Sequence, residues 1–265
     1  MTLRWGVRYR LATTLVLLAI TAGIEIVEPM SDAPSALSAA AHLIVSADAD
    51  LIEIIVLSLE VSLSAVAIAA VIGLPLGALL AVSRFPGRRA LILIINTLMG
   101  LPPVVAGLLV YLALSRQGPL GVLELLYTPT AMIIAQAVLV TPIVTSLTRQ
   151  TIKDLLVQYD EFLRAYGLSG WERAGTLLYE GRMRLATAML AGFGRAIAEV
   201  GAVIIVGGNI NHVTRTMTTT IALETSRGNL SLALALGIIL LALALAINAL
   251  VLTLRPRGVP QLVRR

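Results

Sequence analysis

Two opposite charges interrupt an otherwise apolar stretch of the sequence. Arg195 and Glu199 are four residues apart, a spacing that places them on one face of a helix. An unpaired charge inside a bilayer is costly, so we expect an ion pair. Such a pair could serve as a gate or an electrostatic element along a polar path through a membrane. We favour a structural role, because a buried ion pair is weak evidence for function.

The side chains that usually carry catalysis or bind cofactors are scarce. The sequence has no cysteine, which excludes thiol catalysis, disulfides and thiolate metal sites. The two histidines, His42 and His212, belong to no metal-binding motif, and Lys153 follows no glycine-rich phosphate loop. We therefore expect no enzyme activity, no cofactor or metal, and no nucleotide site in this chain.

The composition points to a membrane. Hydrophobic residues make up 58% of the chain and charged residues 13%, whereas soluble domains have about 25% charged residues. A helix needs about 20 apolar residues to cross the hydrocarbon core. Five stretches meet this length: 61–82, 90–114, 128–148, 185–210 and 230–254. We expect an all-α membrane protein, a polytopic helical bundle.

A shorter apolar stretch, residues 11–27, follows three arginines. It could be a cleaved signal peptide or a retained membrane anchor. We favour the anchor, because the small residues of a cleavage region come only near Ser38, far from the apolar core. The chain is accordingly divided into an N-terminal extension, 1–35, and a membrane domain, 36–265.

The basic residues set the orientation. If the N-terminus is cytoplasmic, the arginine-rich connections all fall inside, and Arg116, Arg215 and Arg227 are left outside. Cytoplasmic loops of membrane proteins carry such an excess of Lys and Arg. Topology thus explains the pI of about 10.1, and we expect no nucleic-acid partner.

Glycine and proline interrupt two of the predicted spans. Gly73 and Gly77 flank Pro75 at the spacing of closely packed helices, and we favour packing over a pore role. Pro102 and Pro103 lie in the middle of a span. They could bend the helix for packing or form a flexible wall of a translocation path.

A polar segment on the outer side could offer amides, hydroxyls and one cation to an oxyanion. It contains Gly207, Gly208, Asn209, Thr214, Arg215 and Thr216. Acidic residues such as Asp50 and Glu124 fall on the same side. We therefore favour a loop that caps two helices.

The longest predicted cytoplasmic connection spans residues 149–184. Apolar residues at helical spacing predict a helix over about 152–163, and Gly167 can end it in the left-handed conformation. Ser169 and Glu172 have the spacing of a capping box, which predicts the start of a second helix. We expect one face of this helix to carry Trp171, Ala174, Gly175 and Leu178.

This connection could be an amphipathic helix lying on the lipid surface. Its arginines alternate with acidic residues, among them Asp160, Glu161 and Glu180. Mixed charge suits a protein partner better than an anionic membrane, so we favour a docking surface for another protein.

The segment Asp160-Glu-Phe-Leu-Arg-Ala-Tyr-Gly167 resembles the EAA motif of ATP-binding-cassette (ABC) importer permeases, with Glu161 and Gly167 on the fixed positions. In that family the loop is a coupling helix that sits in a groove of the ATPase subunit. There it transmits ATP-driven closure to the membrane helices. The resemblance implies that this contact is made here by Glu161, Ala165, Tyr166, Gly167, Leu168, Ser169 and Trp171.

Other segments resemble the molybdate, sulfate and tungstate branch of this family. They are 100–107 with 115–121, 194–201 with 207–210, and 214–219 with 223–228, the last being most similar to tungstate permeases. The resemblance implies the type I ABC importer transmembrane fold, with five core spans and a further N-terminal span. It also implies a multi-pass protein of the bacterial or archaeal cytoplasmic (inner) membrane.

The resemblance further implies the partners. They are ATPase subunits that hold ATP and Mg²⁺, an extracytoplasmic substrate-binding protein, a second copy of this chain, and the lipid bilayer. Tungstate is the expected cargo, with molybdate or sulfate as alternatives. Pro102, Pro103, Arg195 and Glu199 are candidates for the translocation path or its gate.

Two other classes of protein remain as alternatives. An ion-coupled secondary transporter would be expected to bury more carboxylates in the membrane than Glu199. An intramembrane enzyme or an assembly factor would need a catalytic constellation, which the sequence lacks.

Overall fold

The computed structural model describes residues 33–46 and 48–254, and within these ranges the chain is helical, without a strand. The described α-helices are α1 (Ala33–Val45), α2 (Ala49–Val82), α3 (Arg88–Met99), α4 (Pro103–Leu114), α5 (Pro129–Ala165), α6 (Gly170–Glu180), α7 (Arg182–Ile197), α8 (Gly201–Gly207), α9 (Met217–Ser226) and α10 (Leu230–Leu254). A short 3₁₀ helix, Gly121–Leu123, precedes α5.

Three of these helices, α2, α5 and α10, are long and apolar enough to cross a membrane. Two helix pairs pass the same test when each is taken together, although each is bent: α3 with α4 by 105°, and α7 with α8 by 58°. With each pair counted as one span, the described residues contain five spans. They correspond to the five predicted stretches, and the polytopic helical bundle is confirmed.

The central pair of helices is α2 and α5, which share the most extensive contact in the fold. A Cβ atom built on Gly73 would lie 2.8 Å from Cγ1 of Val144, and one on Gly77 would lie 2.5 Å from the backbone oxygen of Thr145. The two glycines therefore let the backbones approach closely, as predicted. Pro75 lies inside the continuous helix α2 and does not break it.

Both central helices are longer than the spans predicted for them. Helix α2 begins at Ala49, where the carboxylate of Asp48 accepts hydrogen bonds from the N–H groups of Asp50 and Leu51 (3.1 and 3.2 Å). Helix α5 continues to Ala165. The predicted helix over about 152–163 is confirmed, but it is continuous with the membrane helix, because no glycine or proline between Pro142 and Gly167 ends α5 sooner.

The predicted anchor, 11–27, lies outside the described residues, as do residues 255–265. Helix α1 runs across the predicted boundary between residues 35 and 36 and packs against α10. The division into two domains stays a prediction.

Buried apolar residues in the described part of the chain form three clusters. One cluster joins α2, α5, α7 and α10 around Val66, Val144 and Leu236. A second joins α2, α4, α5 and α8 around Val61, Met132 and Val203. The third connects the C-terminal ends of α2 and α5 to α6. Helix α6 is thus packed directly onto the two central membrane helices.

Candidate functional site

The predicted docking loop is a sharp bend between α5 and α6. Gly167 follows α5 with φ +63°, the left-handed conformation that glycine adopts without strain. Ser169 then caps α6: its backbone N–H donates to Oε2 of Glu172 (2.7 Å), and its Oγ accepts from the Glu172 N–H (3.5 Å). The capping box and the left-handed glycine are both confirmed.

The cap also affects the charge of Glu172. Hydrogen bonds from the side chain and the backbone of Ser169 lower the pKa of this carboxyl group. Glu172 is therefore held ionised at the N-terminus of α6, where a negative charge stabilises the helix dipole.

Only part of the predicted face of α6 is buried. Ala174 and Leu177 are buried against the ends of α2 and α5, and Leu178 packs beside them. Trp171 and Gly175, predicted on the same face as Ala174 and Leu178, are exposed, so that face is packed only in part. Leu168, from the bend, packs against this end of the cluster instead.

The outer surface of the bend is rich in exposed aromatic rings. Trp171 is 70% exposed and Tyr166 69% exposed. The rings of Phe162 and Tyr166 lie 4.5 Å apart. Exposed residues of the predicted set on this surface are Glu161, Ala165, Tyr166, Gly167, Ser169 and Trp171. We call this set, with Phe162, the bend surface.

The candidate path residues come together at the two bent spans. Pro102 and Pro103 begin α4, immediately after the 105° bend. A Cβ built on Gly201, at the start of α8, would lie 2.9 Å from Cγ2 of Val104 and 3.7 Å from Oε1 of Glu199. The break in one span therefore packs against the break in the other, a proximity that the sequence did not predict.

Arg195 and Glu199 form the predicted ion pair, with 2.6 Å between Arg195 Nη1 and Glu199 Oε2. The arginine side chain is 41% exposed, whereas the glutamate is 4% exposed. The second carboxylate oxygen accepts a hydrogen bond from the Ala202 N–H (3.3 Å). Glu199 thus links the end of α7 to the first turn of α8 across the bend.

Two polar side chains that the sequence did not single out support the same bend. Gln136 in α5 donates from Nε2 to the carbonyl of Ala196 (3.0 Å), and Thr218 in α9 donates to the carbonyl of Glu199 (2.8 Å). Broken helices in membranes require such partners for freed backbone groups. The only sign of these contacts in the sequence is the polar side chain of Gln136 within an apolar span.

The polar segment after α8 is a capping loop, as favoured. Thr214 Oγ1 donates to the carbonyl of Gly207 (2.5 Å) and accepts from the Ile210 N–H (2.9 Å). Asn209 bonds to Thr219, which lies in the first turn of α9. These hydroxyl and amide groups bond to the protein itself.

A contact near the N-terminus of α2 joins this helix to the loop. His212 Nδ1 lies 2.8 Å from Glu53 Oε2. Glu53, with a smaller effect from Asp50, raises the pKa of His212, while burial and Arg215 act against it. Asp50, Glu53 and His212 are all exposed, and their potential metal-ligand atoms lie within 4.8 Å of one another. No further ligand group of this kind is found among residues 33–46 and 48–254.

Comparison with known proteins shows similarity to membrane components of transport systems. Residues 73–258 match the family model of binding-protein-dependent transport system inner membrane components. A tungstate uptake system permease protein, TupB, of Peptoclostridium acidaminophilum is 43% identical over 82% of this chain and 95% of its own length. A "probable anion ABC transporter permease protein" of Haloferax volcanii is 43% identical, over 78% and 91%. The sulfate permease CysW of Escherichia coli is 30% identical, over 67% and 63%.

Proposed function

Because this chain belongs to the family of binding-protein-dependent transport system inner membrane components, the permeases of ABC importers, we propose that it carries tungstate into the cell, driven by a separate ATPase that docks on the bend surface. The observation that supports coupling to an ATPase is the packing of α6. Its inner face is packed on α2 and α5, while its outer side and the bend expose aromatic rings.

This arrangement is suited to transmitting movement from the bend to the membrane helices. A force applied at Trp171 or Tyr166 reaches the buried residues Ala174 and Leu177 through a single short helix. Those residues contact the ends of the two longest helices in the bundle. Packed interiors transmit displacement because they are dense and stiff. Movement of α6 would therefore move α2 and α5 together.

Aromatic and charged side chains on the bend surface suit a protein interface. Exposed Tyr and Trp are typical anchors of such interfaces. Glu161 adds a negative charge next to Phe162 and Tyr166. The ATPase would supply ATP and Mg²⁺, so this chain needs no cofactor.

The family implies a binding protein and an ATPase as partners in general. We propose further that two copies of this chain pair around a central path in the cytoplasmic membrane of a bacterium or archaeon. Exposed apolar residues on α4 support a surface that faces either lipid or a second copy: Val104, Val105, Leu108, Leu109 and Leu112. The two adjacent breaks, at Pro102–Pro103 and at Glu199, are our candidates for the moving part of the path.

Tungstate is proposed as cargo from the similarity to the TupB proteins of Peptoclostridium acidaminophilum and Campylobacter jejuni, the latter 39% identical over 55% of this chain. The sulfate permeases are less similar. Cargo selection would lie mainly in the binding protein. Molybdate and sulfate are the alternatives that an experiment must separate.

An ion-coupled secondary transporter is less consistent with the buried charges. Glu199 is paired with Arg195 and bonded to α8. Glu224, also buried and not anticipated from the sequence, accepts from Arg227 and from Asn229. Both carboxylates are occupied in structural contacts, which leaves neither as an evident ion carrier.

Pull-down of the candidate ATPase with the full chain tests the docking. We expect Glu161→Ala and Gly167→Asp to weaken ATPase association or to abolish transport, because one removes a bend-surface charge and the other adds a charged side chain at the left-handed turn. Glu180→Ala and Gly228→Asp are the matched controls. Gly228 is also left-handed with open space around it, but it lies outside the bend.

Unchanged association together with unchanged uptake in both bend variants would refute the coupling proposal. Cargo needs a separate assay, in which tungstate, molybdate and sulfate compete for uptake by the assembled transporter. Preferential uptake of sulfate or molybdate would refute tungstate as cargo without affecting the coupling.

A further inference from the structure

A basic cavity lies beside the bend surface, between the cytoplasmic ends of the membrane helices. It has a volume of about 570 Å³ and is lined by residues of α2, α3, α5 and α6 and of the α2–α3 connection. Its charged lining residues are Arg84, Arg88, Lys153, Arg173 and a single acid, Asp160. The coupling role does not use this cavity.

Two of the arginines are held in place by the backbone. Arg88 Nε donates to the carbonyl of Leu80 (2.7 Å), and Arg173 Nε donates to the carbonyl of Leu168 (2.8 Å). Among the described residues, none of the four cations of the cavity forms an ion pair. The cavity thus has more positive than negative charges, and backbone hydrogen bonds hold two of its arginines in position.

A second cavity of about 350 Å³ shares two of these residues. It is lined by Arg84, Phe85, Gly87, Arg88 and Arg89. Here α3 begins, and its N-cap residue, Gly87, has no side chain to accept from the N–H groups of the first turn. Uncapped N–H groups and a helix N-terminus add to the attraction of the arginines for an anion.

The position of the cavity indicates where the anion comes from. Ala81 and Val82, the last residues of membrane helix α2, form part of its lining. Phe85 is exposed next to it, and Leu93 and Ile94 are exposed further along α3. A phosphate in the cavity would therefore sit at the edge of the hydrocarbon layer, with an apolar surface leading away from it.

We propose that this cavity binds the phosphate headgroup of an anionic phospholipid from the cytoplasmic leaflet. Basic pockets between membrane helices on the cytoplasmic side bind such headgroups. The bound lipid would bridge α2, α3, α5 and α6, and so would contact the same helix that couples to the ATPase. The inference uses the proposed orientation but is independent of the cargo.

Native mass spectrometry of the assembled transporter can test this by titration with phosphatidylglycerol. We expect Arg84→Gln with Lys153→Gln to weaken binding about fivefold for each charge removed. Arg182→Gln with Arg184→Gln removes the same charge from cytoplasmic residues outside the cavity and should leave the affinity unchanged. Phosphatidylcholine, which has no net charge, should bind weakly to all variants.

Each other outcome would overturn the proposal. Equal loss of phosphatidylglycerol in both double variants would show a nonspecific charge effect, and equal binding of phosphatidylcholine would exclude headgroup recognition. Full displacement by inorganic phosphate or glycerol phosphate would assign the cavity to a soluble anion. Loss of the ATPase from the Arg84/Lys153 variant, with unchanged lipid binding, would assign it to the partner protein. None of these readouts measures uptake, so failure here is distinguishable from failure of the proposed function.

Discussion

Gly77 shows how little space separates the two central helices. The nearest atoms to a Cβ at this position would be the backbone oxygen of Thr145 and the Cβ of Thr148, at 2.5 and 2.7 Å. Neither is the free end of a flexible side chain. A methyl group here can be accommodated only if α2 and α5 move apart.

We predict that Gly77→Ala destabilises the protein by about 1–3 kcal/mol, the usual cost of overpacking a well-packed core. The matched control is Gly237→Ala in membrane helix α10, where nothing lies within 4 Å of the added Cβ. That variant should be unchanged or slightly stabilised, since alanine favours helices. The thermal midpoints of the purified variants decide this, and equal loss in both would contradict the close contact of α2 and α5.

His212 is a surface residue whose charge should respond to pH. Glu53 and Asp50 raise its pKa, and Arg215 opposes them. A raised folded-state pKa means that the His212–Glu53 contact stabilises fully at pH values below the unfolded pKa. That contribution is lost as the pH rises through the folded pKa.

We expect Glu53→Gln to lower the pKa of His212, because the neighbour with the largest effect on this pKa loses its charge. NMR titration in a His42→Gln background, where His212 is the sole histidine, measures this directly. Asp50→Asn should lower the pKa by less. An unchanged pKa in Glu53→Gln would mean that the contact is absent in solution.

At the scale of elements, the start of α6 depends on a single cap. Ser169 supplies both halves of the capping box with Glu172. We predict that Ser169→Ala speeds amide hydrogen exchange in the first turn of α6 about fivefold, as expected from the loss of a typical cap. Ser169→Thr keeps the hydroxyl and should retain protection. If exchange in Ser169→Ala matched the wild type, the cap would not hold the helix.

The lowered pKa of Glu172 gives the same cap a pH dependence. A depressed carboxyl pKa adds stability at pH values above its unfolded value, and this is lost as the pH falls through the folded value. Protection of the first turn of α6 should therefore decrease on acidification, and the decrease should be absent in Glu172→Gln.

Local features were predictable from residue types. The left-handed Gly167, the capping box and the close approach at Gly73 and Gly77 each depend on a few neighbouring residues or on a short spacing. The Arg195–Glu199 pair was predictable for the same reason, since both residues lie within about one helical turn.

Features set by distant parts of the chain were not predictable. The packed face of α6 is chosen by the ends of α2 and α5, so Trp171 is exposed although its spacing matched that of Ala174 and Leu178. The bond from Gln136 to the carbonyl of Ala196 joins residues 60 positions apart. Which helix face is buried, and which side chain satisfies a broken helix, depends on tertiary packing rather than on local pattern.

At the scale of the whole molecule, the helical bundle contains two adjacent bent spans, and the short helix α6 packs against one end of its two central helices. The bend between α7 and α8 is held by side-chain hydrogen bonds, and α6 is held by apolar packing. In the proposed function, movement of α6 would act through the continuous helices α2 and α5, and the bent spans would be the places where the path changes shape.

The chain contains no cysteine, so its orientation can be mapped with single-cysteine variants without background. We predict that a membrane-impermeant maleimide added to intact cells labels Asn211→Cys and not Trp171→Cys. Both positions are exposed in the structure. After the membrane is opened, both should react. Labelling of Trp171→Cys from outside would show that the chain has the opposite orientation, and it would refute docking of the ATPase at the bend surface.

We have proposed that a separate ATPase drives this permease through the bend surface. Proteoliposomes that hold the permease, its ATPase and the binding protein with tungstate test it, by measuring tungstate movement with and without ATP. We predict ATP-dependent transport with the complete set and none with the permease alone. Tungstate transport by the permease alone, or transport that follows an ion gradient without ATP, would contradict the account.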